Sequence, residues 1–353
     1  MDTGKNLHSQ EVHILVIRMS AMGDVAMTVP IIAGLLQHYP NTRITVLTKG
    51  FFKPIFEGLP RLTVFEADVK GKHKGVLGLW RLYNELKLLQ IDVVADLHNV
   101  MRSNVLRAFF AMGATRFVQI DKGRTEKGAL TSLSKKVFKP LKTTHQRYAD
   151  VFSTLGFPVP LEEVNLLPIR RISSKTQMVI KDTTKQWIGI APFAAFDGKM
   201  YPLDLMEKVV AGLNSAGLFH ILLFGGGEME RTKLAIWEDK YENCLNLVGK
   251  IPFKEELAVI SQLKLMIAMD SGNAHLSAMF GVPCITLWGV THPYAGFYPF
   301  GQGENVLVSD REKYPLIPTS VYGNKFPSGY ENAMRSISPE LVLGKALEIL
   351  KVQ

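Results

Sequence analysis

The stretch LMIAMDSGNAHLSAMFGVPCITLWG, Leu265 to Gly289, decides the fold. An apolar run ends at Asp270, the chain turns on Ser271, Gly272 and Asn273, a helix is expected from Ala274 to Phe280, and Pro283 leads into a second apolar strand from Cys284 to Leu287. A wholly apolar strand that delivers an aspartate to its carboxyl end and then turns through glycine into a helix is the repeating unit of a buried parallel sheet. The unpaired N–H groups at the start of that helix point out of the sheet and make an anion site, most simply for a phosphate.

Working outward, the same alternation fills the chain on both sides. Toward the N-terminus, His13 to Arg18 (HILVIR) is an apolar strand that gives way at Met19-Ser20-Ala21-Met22-Gly23-Asp24 to a turn and a helix, with Asp24 near the helix start. Strands are expected from Ile44 to Leu47, Leu62 to Glu66, Val93 to Leu97 and Thr115 to Ile120, and helices from Gly78 to Leu89, Met101 to Met112 and Gln146 to Leu155. In the second half, strands from Trp187, Phe219 and Leu245 alternate with helices from Leu203, Glu228 and Lys254, the turn Gly225-Gly226-Gly227 preceding the second helix. Short connections between alternating elements predict an α/β protein with two Rossmann-like, doubly wound domains whose polar turns face one another across a cleft. The domains are placed at 1–168 and 187–335, joined by the polar linker 169–186. A closing helix in 336–353, capped by Ser338 and Pro339, is expected to pack back on the N-terminal domain.

Composition narrows the chemistry. The 353 residues suffice for two domains, and a hydrophobic share of 47% supplies real cores. A formal charge of +9 points to an acidic partner, with phosphates, nucleic acid and anionic lipid all admissible. The two cysteines, Cys244 and Cys284, lie far apart among apolar residues and read as reduced core residues. The first residues, MDTGKNLHSQEVH, are polar where a signal peptide needs an apolar core, and no run reaches the ~18 to 20 apolar residues of a membrane span, so a cytoplasmic protein is expected. Between Lys122 and Arg147, eight Lys/Arg residues face the single acid Glu126; the segment is either a solvated loop or a cationic surface that closes over an acidic ligand.

The turns supply the candidate side chains: Ser20 and Asp24 in the first domain, and Lys199, Glu228, Asp270, Gly272 and His275 in the second. Each also has an ordinary explanation. Asp24 suits a helix dipole, Lys199 a solvated loop, Glu228 a first helical turn after flexible glycines, and His275 a half-buried helix face. No Cys/His spacing matches a zinc site, and no two aspartates are separated by one residue, so the paired-carboxylate clamp for a divalent cation on a diphosphate is missing and no metal is expected. A dinucleotide-dependent dehydrogenase is disfavoured by the lack of G-x-G-x-x-G after the first strand, and nucleic-acid binding by the lack of any recognition motif.

The stretches ILVIRMSAMGDVAMTVPIIAGLLQHYPNTRITVLT, VVADLHNVMRSNVL, NLVGKIPFKEELAVISQLKLMIAMDSGNAHLSAMFGVPCITLWGVTHP and ISPELVL, in that order, resemble the heptosyltransferase family of bacterial glycosyltransferases. The motifs GD-x-x-x-T-x-P and D-S-G-x-x-H-L-x-A-x-x-G-V-P carry the resemblance. It implies a GT-B architecture and inverting, metal-independent transfer without a cofactor. The donor it implies is a nucleotide sugar, usually ADP-heptose, bound mainly by the C-terminal domain, and the acceptor a phosphorylated glycolipid of the Kdo–lipid A type in the lipopolysaccharide inner core.

Carried onto this chain, the resemblance makes Asp24 the general base, with Ser20 and Gly23 on the acceptor side, and Lys199 the cation that neutralises the departing diphosphate. Either Glu228 or Glu230 takes the donor ribose. Asp270, Ser271, Gly272, Asn273, Ala274 and His275 form the donor site. Lys122, Arg124, Lys127, Lys135, Lys136 and Arg147 face the acceptor, so that a cytoplasmic enzyme touches the inner face of the membrane transiently. The chain departs from the family pattern at His98-Asn99, at Asn273-Ala274 and in the aromatic, Pro- and Gly-rich segment from Tyr294 to Glu331, which bears on the choice of sugar and acceptor.

Overall fold

The computed structural model describes residues 11–113, 115–181 and 184–351; the polar N-terminal residues 1–10, and 182–183 of the expected linker, lie outside them. Two compact units emerge, one made of Met1–Lys122 with Thr144–Leu167 and the other of Gly123–Thr143 with Pro168–Gln353.

In the first unit, β1 (Val12–Ile17), β2 (Thr42–Thr48), β3 (Leu62–Glu66), β4 (Val93–Asp96) and β5 (Arg116–Gln119) form a sheet in the order β3-β2-β1-β4-β5, every neighbouring pair parallel. Helices α1 (Met22–Ala26), α2 (Thr28–His38), α3 (Gly75–Lys87) and α4 (Met101–Ala111) belong to this unit; α5 (Arg124–Thr131) belongs to the second, and α6 (Thr144–Leu155) returns to the first. All six residues of β1 are buried, as covering both faces of a parallel sheet requires. The exception in polarity, His13, bonds Thr45 Oγ1 at 2.8 Å and the Leu89 carbonyl at 2.9 Å, and burial lowers its pKa. Leu15, Ile17, Leu47, Leu82, Leu86 and Leu106 fill one core, each apolar side chain contributing about 1.5–3 kcal/mol relative to exposure.

The second unit repeats the plan. Helix α7 (Ser174–Ile180) precedes β6 (Gln186–Ala191); α8 (Leu203–Ser215), β7 (Phe219–Leu223), α9 (Gly227–Lys240), β8 (Cys244–Asn246), α10 (Phe253–Ile260), β9 (Leu265–Met269), α11 (Gly272–Ala278), β10 (Cys284–Trp288), β11 (Val306–Val308) and α12 (Pro339–Leu350) follow. The sheet runs β11-β10-β9-β6-β7-β8, again with parallel neighbours. Helix α7 was not expected inside the linker; Ser173 caps it by accepting from Thr176 N at 3.3 Å, and Glu255 holds both Ser173 N and the Thr176 hydroxyl. The closing helix α12 packs within the second unit. Val342 and Ala346, one turn apart, enter the second unit's own core with Val209, Val210 and Leu213 of α8.

Strand order reverses between β1 and β4 in the first sheet and between β6 and β9 in the second. Ligands of open parallel sheets bind beyond the carboxyl ends of strands at such switch points. Those ends carry 18–24 and 97–99 in the first unit, and 192–199 and 270–275 in the second.

Candidate functional site

At the first switch point, β1 is followed at once by Arg18, whose side chain is buried among apolar strands. Its guanidinium donates to the Leu97 carbonyl at 2.6 Å and meets Asp24 Oδ2 at 2.6 Å. The same Oδ2 accepts Ala21 N at 3.2 Å, so Asp24 is oriented by both contacts on one oxygen. With 28% of the side chain exposed, Oδ1 is left for an incoming group. From α6, the buried Tyr148 donates to the Asp24 main-chain carbonyl at 3.3 Å, and burial pushes its phenol far above the ordinary range.

Ser20 Oγ lies 3.5 Å from His98 Nε2, and His98 Nδ1 is buried without a hydrogen-bond partner. Burial first, then the charges of Arg18 and Lys122, push the His98 pKa down to about 3, so the imidazole is neutral. Its backbone is fixed by Asp96, a wholly buried carboxylate that accepts His98 N at 2.9 Å, Asn99 N at 3.0 Å and Gln119 Nε2 at 2.8 Å. Arg18 and His98 were not among the expected site residues. Their place directly after two neighbouring strands was the available signal.

At the second switch point, Lys199 closes a short 3-10 turn, Asp197–Lys199, and sets Nζ 2.7 Å from Asp270 Oδ2 at the end of β9. Thr291, just beyond β10, donates to that oxygen at 3.1 Å. The lysine is largely buried, 15% of its side chain remaining exposed, because its stem lies against Gly323; a Cβ there would stand 2.5 Å from Lys199 Cγ. Gly289 is similarly constrained, since a Cβ would lie 2.2 Å from the Gly198 carbonyl oxygen, which accepts Val290 N at 2.9 Å. Ser271 occupies the cap position of α11 with its hydroxyl buried and unpartnered, Gly272, Asn273 and Ala274 form the first turn, and His275 is buried in that helix. Glu230 Oε2 accepts Gly226 N at 2.7 Å and so holds the glycine turn after β7, whereas Glu228 is exposed and pairs with Arg231 at 2.6 Å. The loop after β6 and the end of β9 thus gather Lys199 and Asp270 into one cluster, with the start of α11 following Asp270 directly along the chain.

The basic segment is a packed element, not a solvated loop. Lys127 is buried with Nζ 4.1 Å from the centre of the Phe297 ring. Lys136 donates to the Leu130 and Pro318 carbonyls at 2.8 and 2.7 Å, and burial followed by the Arg311 charge brings its pKa down to about 8. Arg311 stacks 3.4 Å over Phe138, which packs on Tyr294. Arg147, in the first unit, is buried and donates to the Asp121 carbonyl at 3.3 Å. Lys122 is half-buried, and Arg124 and Lys135 are exposed. Lys127, Lys136 and Arg147, all expected at the acceptor, thus have partners inside the fold, and 123–143 packs with the second unit although the sequence placed it with the first. The aromatic partners lie more than a hundred residues downstream, where local charge counting does not see them. Among the described residues no three His, Cys, Asp or Glu side chains gather as metal ligands. Both cysteines are buried and free, and burial raises the Cys244 thiol to about 12.

The description Glycosyltransferase family 9 (heptosyltransferase) matches residues 79–321. A lipopolysaccharide core heptosyltransferase, OpsX, of Haemophilus influenzae is 24% identical over 83% of this chain and 83% of its own. A family 9 glycosyltransferase structure from Veillonella parvula superposes with a TM-score of 0.74 at 20% identity, covering 98% of both chains. The E. coli heptosyltransferase WaaC, solved with ADP, gives 0.68 at 16% identity, covering 96% of this chain and all of that one. Two parallel α/β units of the GT-B type are common to these structures and to this protein. By the match over most of its length, the chain belongs to glycosyltransferase family 9, the heptosyltransferases, and is a glycosyltransferase.

Proposed function

We propose that the protein transfers heptose from ADP-heptose to a lipopolysaccharide inner-core acceptor of the Kdo–lipid A type, with inversion and without a divalent metal, from the inner face of the cytoplasmic membrane. Lipopolysaccharide heptosyl transfer in general follows from the family and from the relatives' activities; the presence of ADP in the WaaC structure supports the choice of nucleotide. The observation that carries the mechanism is the largely buried Lys199 held 2.7 Å from Asp270 at the second switch point, a fixed cation where a diphosphate would leave.

In this reading Asp24 Oδ1 takes the proton of the acceptor hydroxyl while that oxygen attacks the anomeric carbon, and the bond from that carbon to the diphosphate oxygen breaks. Arg18 and Ala21 N hold the Asp24 carboxylate in a fixed orientation through Oδ2. The charge released on ADP is met by Lys199 and by the first-turn N–H groups of α11 beside the unpartnered Ser271 hydroxyl, with Asp270 and His275 near the sugar and phosphates. Glu228, free of the turn that occupies Glu230, is the ribose ligand. Ser20, Gly23 and His98 belong to the acceptor side of the first unit, and the exposed Arg124 and Lys135 of the second unit are cations available to acceptor phosphates. His98-Asn99 and Asn273-Ala274 favour one further reading, the same chemistry with another nucleotide sugar and surface glycan.

Mass spectrometry of products from ADP-heptose, GDP-sugars and UDP-sugars with purified lipid acceptors tests the donor; a product from another donor alone would select the second reading. Asp24→Ala is expected to lower kcat by roughly three orders of magnitude while ADP affinity changes less than about twofold. Turnover near the wild-type rate would remove Asp24 as the base.

A further inference from the structure

The outward face of α3 carries four exposed large apolar residues. Leu77 is 86% exposed, Leu88 82%, Val76 63% and Trp80 42%. Positions 77, 80, 81, 84 and 88 recur at three- and four-residue spacing and so share one stripe of the helix, while Leu79, Leu82, Tyr83 and Leu86 face the core. A shallow groove runs along this stripe between Leu77, Trp80, Arg81, Asn84, Lys87 and Leu88. Soluble proteins scatter exposed leucines singly; a stripe holding two, together with a tryptophan, needs an occupant.

Charge says which occupant. Lys70, Lys74, Arg81 and Lys87 are exposed around the stripe, and Lys72 is tied to Glu85 at 2.7 Å. The loop that presents the first lysines is built, not slack: Asp68 accepts Gly71 N at 2.8 Å and Lys72 N at 2.9 Å, and His73 lies so close to α3 that a Cβ on Gly78 would come within 2.4 Å of its carbonyl carbon. An apolar helix stripe with an interfacial tryptophan and a rim of cations is complementary to anionic lipid, its leucines entering the acyl boundary and its lysines meeting headgroup phosphates. The stripe runs the length of α3, from Val76 and Leu77 at the carboxyl edge of the sheet to Leu88, which lies beside Glu11, Asn41 and Thr42 at the strand starts.

We propose that the face formed by Val76, Leu77, Trp80 and Leu88 with Lys70, Lys74, Arg81 and Lys87 docks on an anionic lipid bilayer, with α3 lying along the membrane surface. The inference rests on the lipid-linked acceptor proposed above, and the docking site differs from the basic segment 122–147 that the sequence suggested.

The protein carries its own reporter. Trp187, Trp237 and Trp288 are buried, so Trp80 is the tryptophan whose emission can respond to lipid. Full-length protein is mixed with vesicles of phosphatidylcholine alone or with one-third phosphatidylglycerol, and sedimentation and Trp emission are read. Binding to the anionic vesicles with a blue shift, weakened by salt and at least tenfold weaker to phosphatidylcholine, is expected. Leu77→Ser/Leu88→Ser should lower the partition by about tenfold or more, and Lys74→Glu/Lys87→Glu by about fivefold per lysine, with unchanged melting temperature.

The proposal is overturned by absence of vesicle binding, by equal binding to both lipids, or by binding indifferent to both variants. A dimer that the Leu77→Ser/Leu88→Ser variant dissolves would overturn it as well, assigning the face to a second copy. Vesicle binding needs no sugar chemistry, and both variants should transfer at the wild-type rate to a deacylated, water-soluble acceptor. Failure of wild-type transfer to any inner-core acceptor would therefore sink the functional reading and leave the docking result standing.

Discussion

Lys199 and Asp270 are each costly to bury and are tolerable together at 2.7 Å, which is why neither can be changed without exposing the other. Lys199→Ala is expected to lower kcat by roughly two to three orders of magnitude and to weaken ADP inhibition, because the fixed cation at the leaving group is lost. Unchanged inhibition by ADP would place Lys199 outside the donor site. His98 makes a different prediction. Its pKa of about 3, below the ordinary histidine value, means that the unfolded chain binds the proton first; the stability it confers is complete above about pH 6.5 and declines as pH falls toward 3. By NMR its imidazole should show no titration between pH 5 and 8. His98→Ala should raise the acceptor KM about tenfold, the cost of one hydrogen bond, with little change for the donor. A midpoint near 6.5, or an effect confined to the donor, would contradict this placement. Asp270 was legible from sequence because an apolar strand delivers it to a glycine turn. Arg18 was not, since a cation closing a strand has no periodicity, and its role depends on contacts with Leu97 and Asp24 that only folding creates.

At the scale of elements, the turn bearing Lys199 is pinned by glycines that admit no side chain. Gly289→Ala would set a methyl 2.2 Å from the Gly198 oxygen and 2.9 Å from Met334 Cγ. A loss of about 1–3 kcal/mol in stability is expected from this overpacking, together with weaker ADP binding as the turn shifts, measured by thermal melting and calorimetry. A variant as stable as the wild type with unaltered ADP affinity would show that the turn has room to relax. The buried strands were readable because parallel strands covered on both faces are continuous apolar runs, as in VHILVI and LMIAM. Three elements escaped. Helix α5 lies among charges that hide its inward residues Lys127 and Leu130, α7 is a short capped helix in a polar stretch, and β11 is a three-residue strand recognisable through its pairing with β10.

At the scale of the molecule, the excursion of 123–143 out of the first unit's sequence is the feature that local reading could not supply. Leu130 and Leu141 form a small core with Ala295, flanked by Phe138, Tyr294 and Phe297. A fragment ending at Leu167 should therefore keep its five-stranded sheet but bind a hydrophobic dye and be cut by protease within 123–143, while the full chain resists both. A fragment protected throughout that segment would show that it is held without those partners. The excursion also sets a schedule for synthesis. Lys136 and the carbonyl it donates to at Pro318 are 182 residues apart. At translation rates of about 5–20 residues per second, the ribosome leaves Phe138 and its neighbours uncovered for roughly ten to forty seconds after they emerge. The first sheet can be completed during that interval only with a greasy, cationic loop hanging from its side, so this segment is where a chaperone would have the longest time to bind.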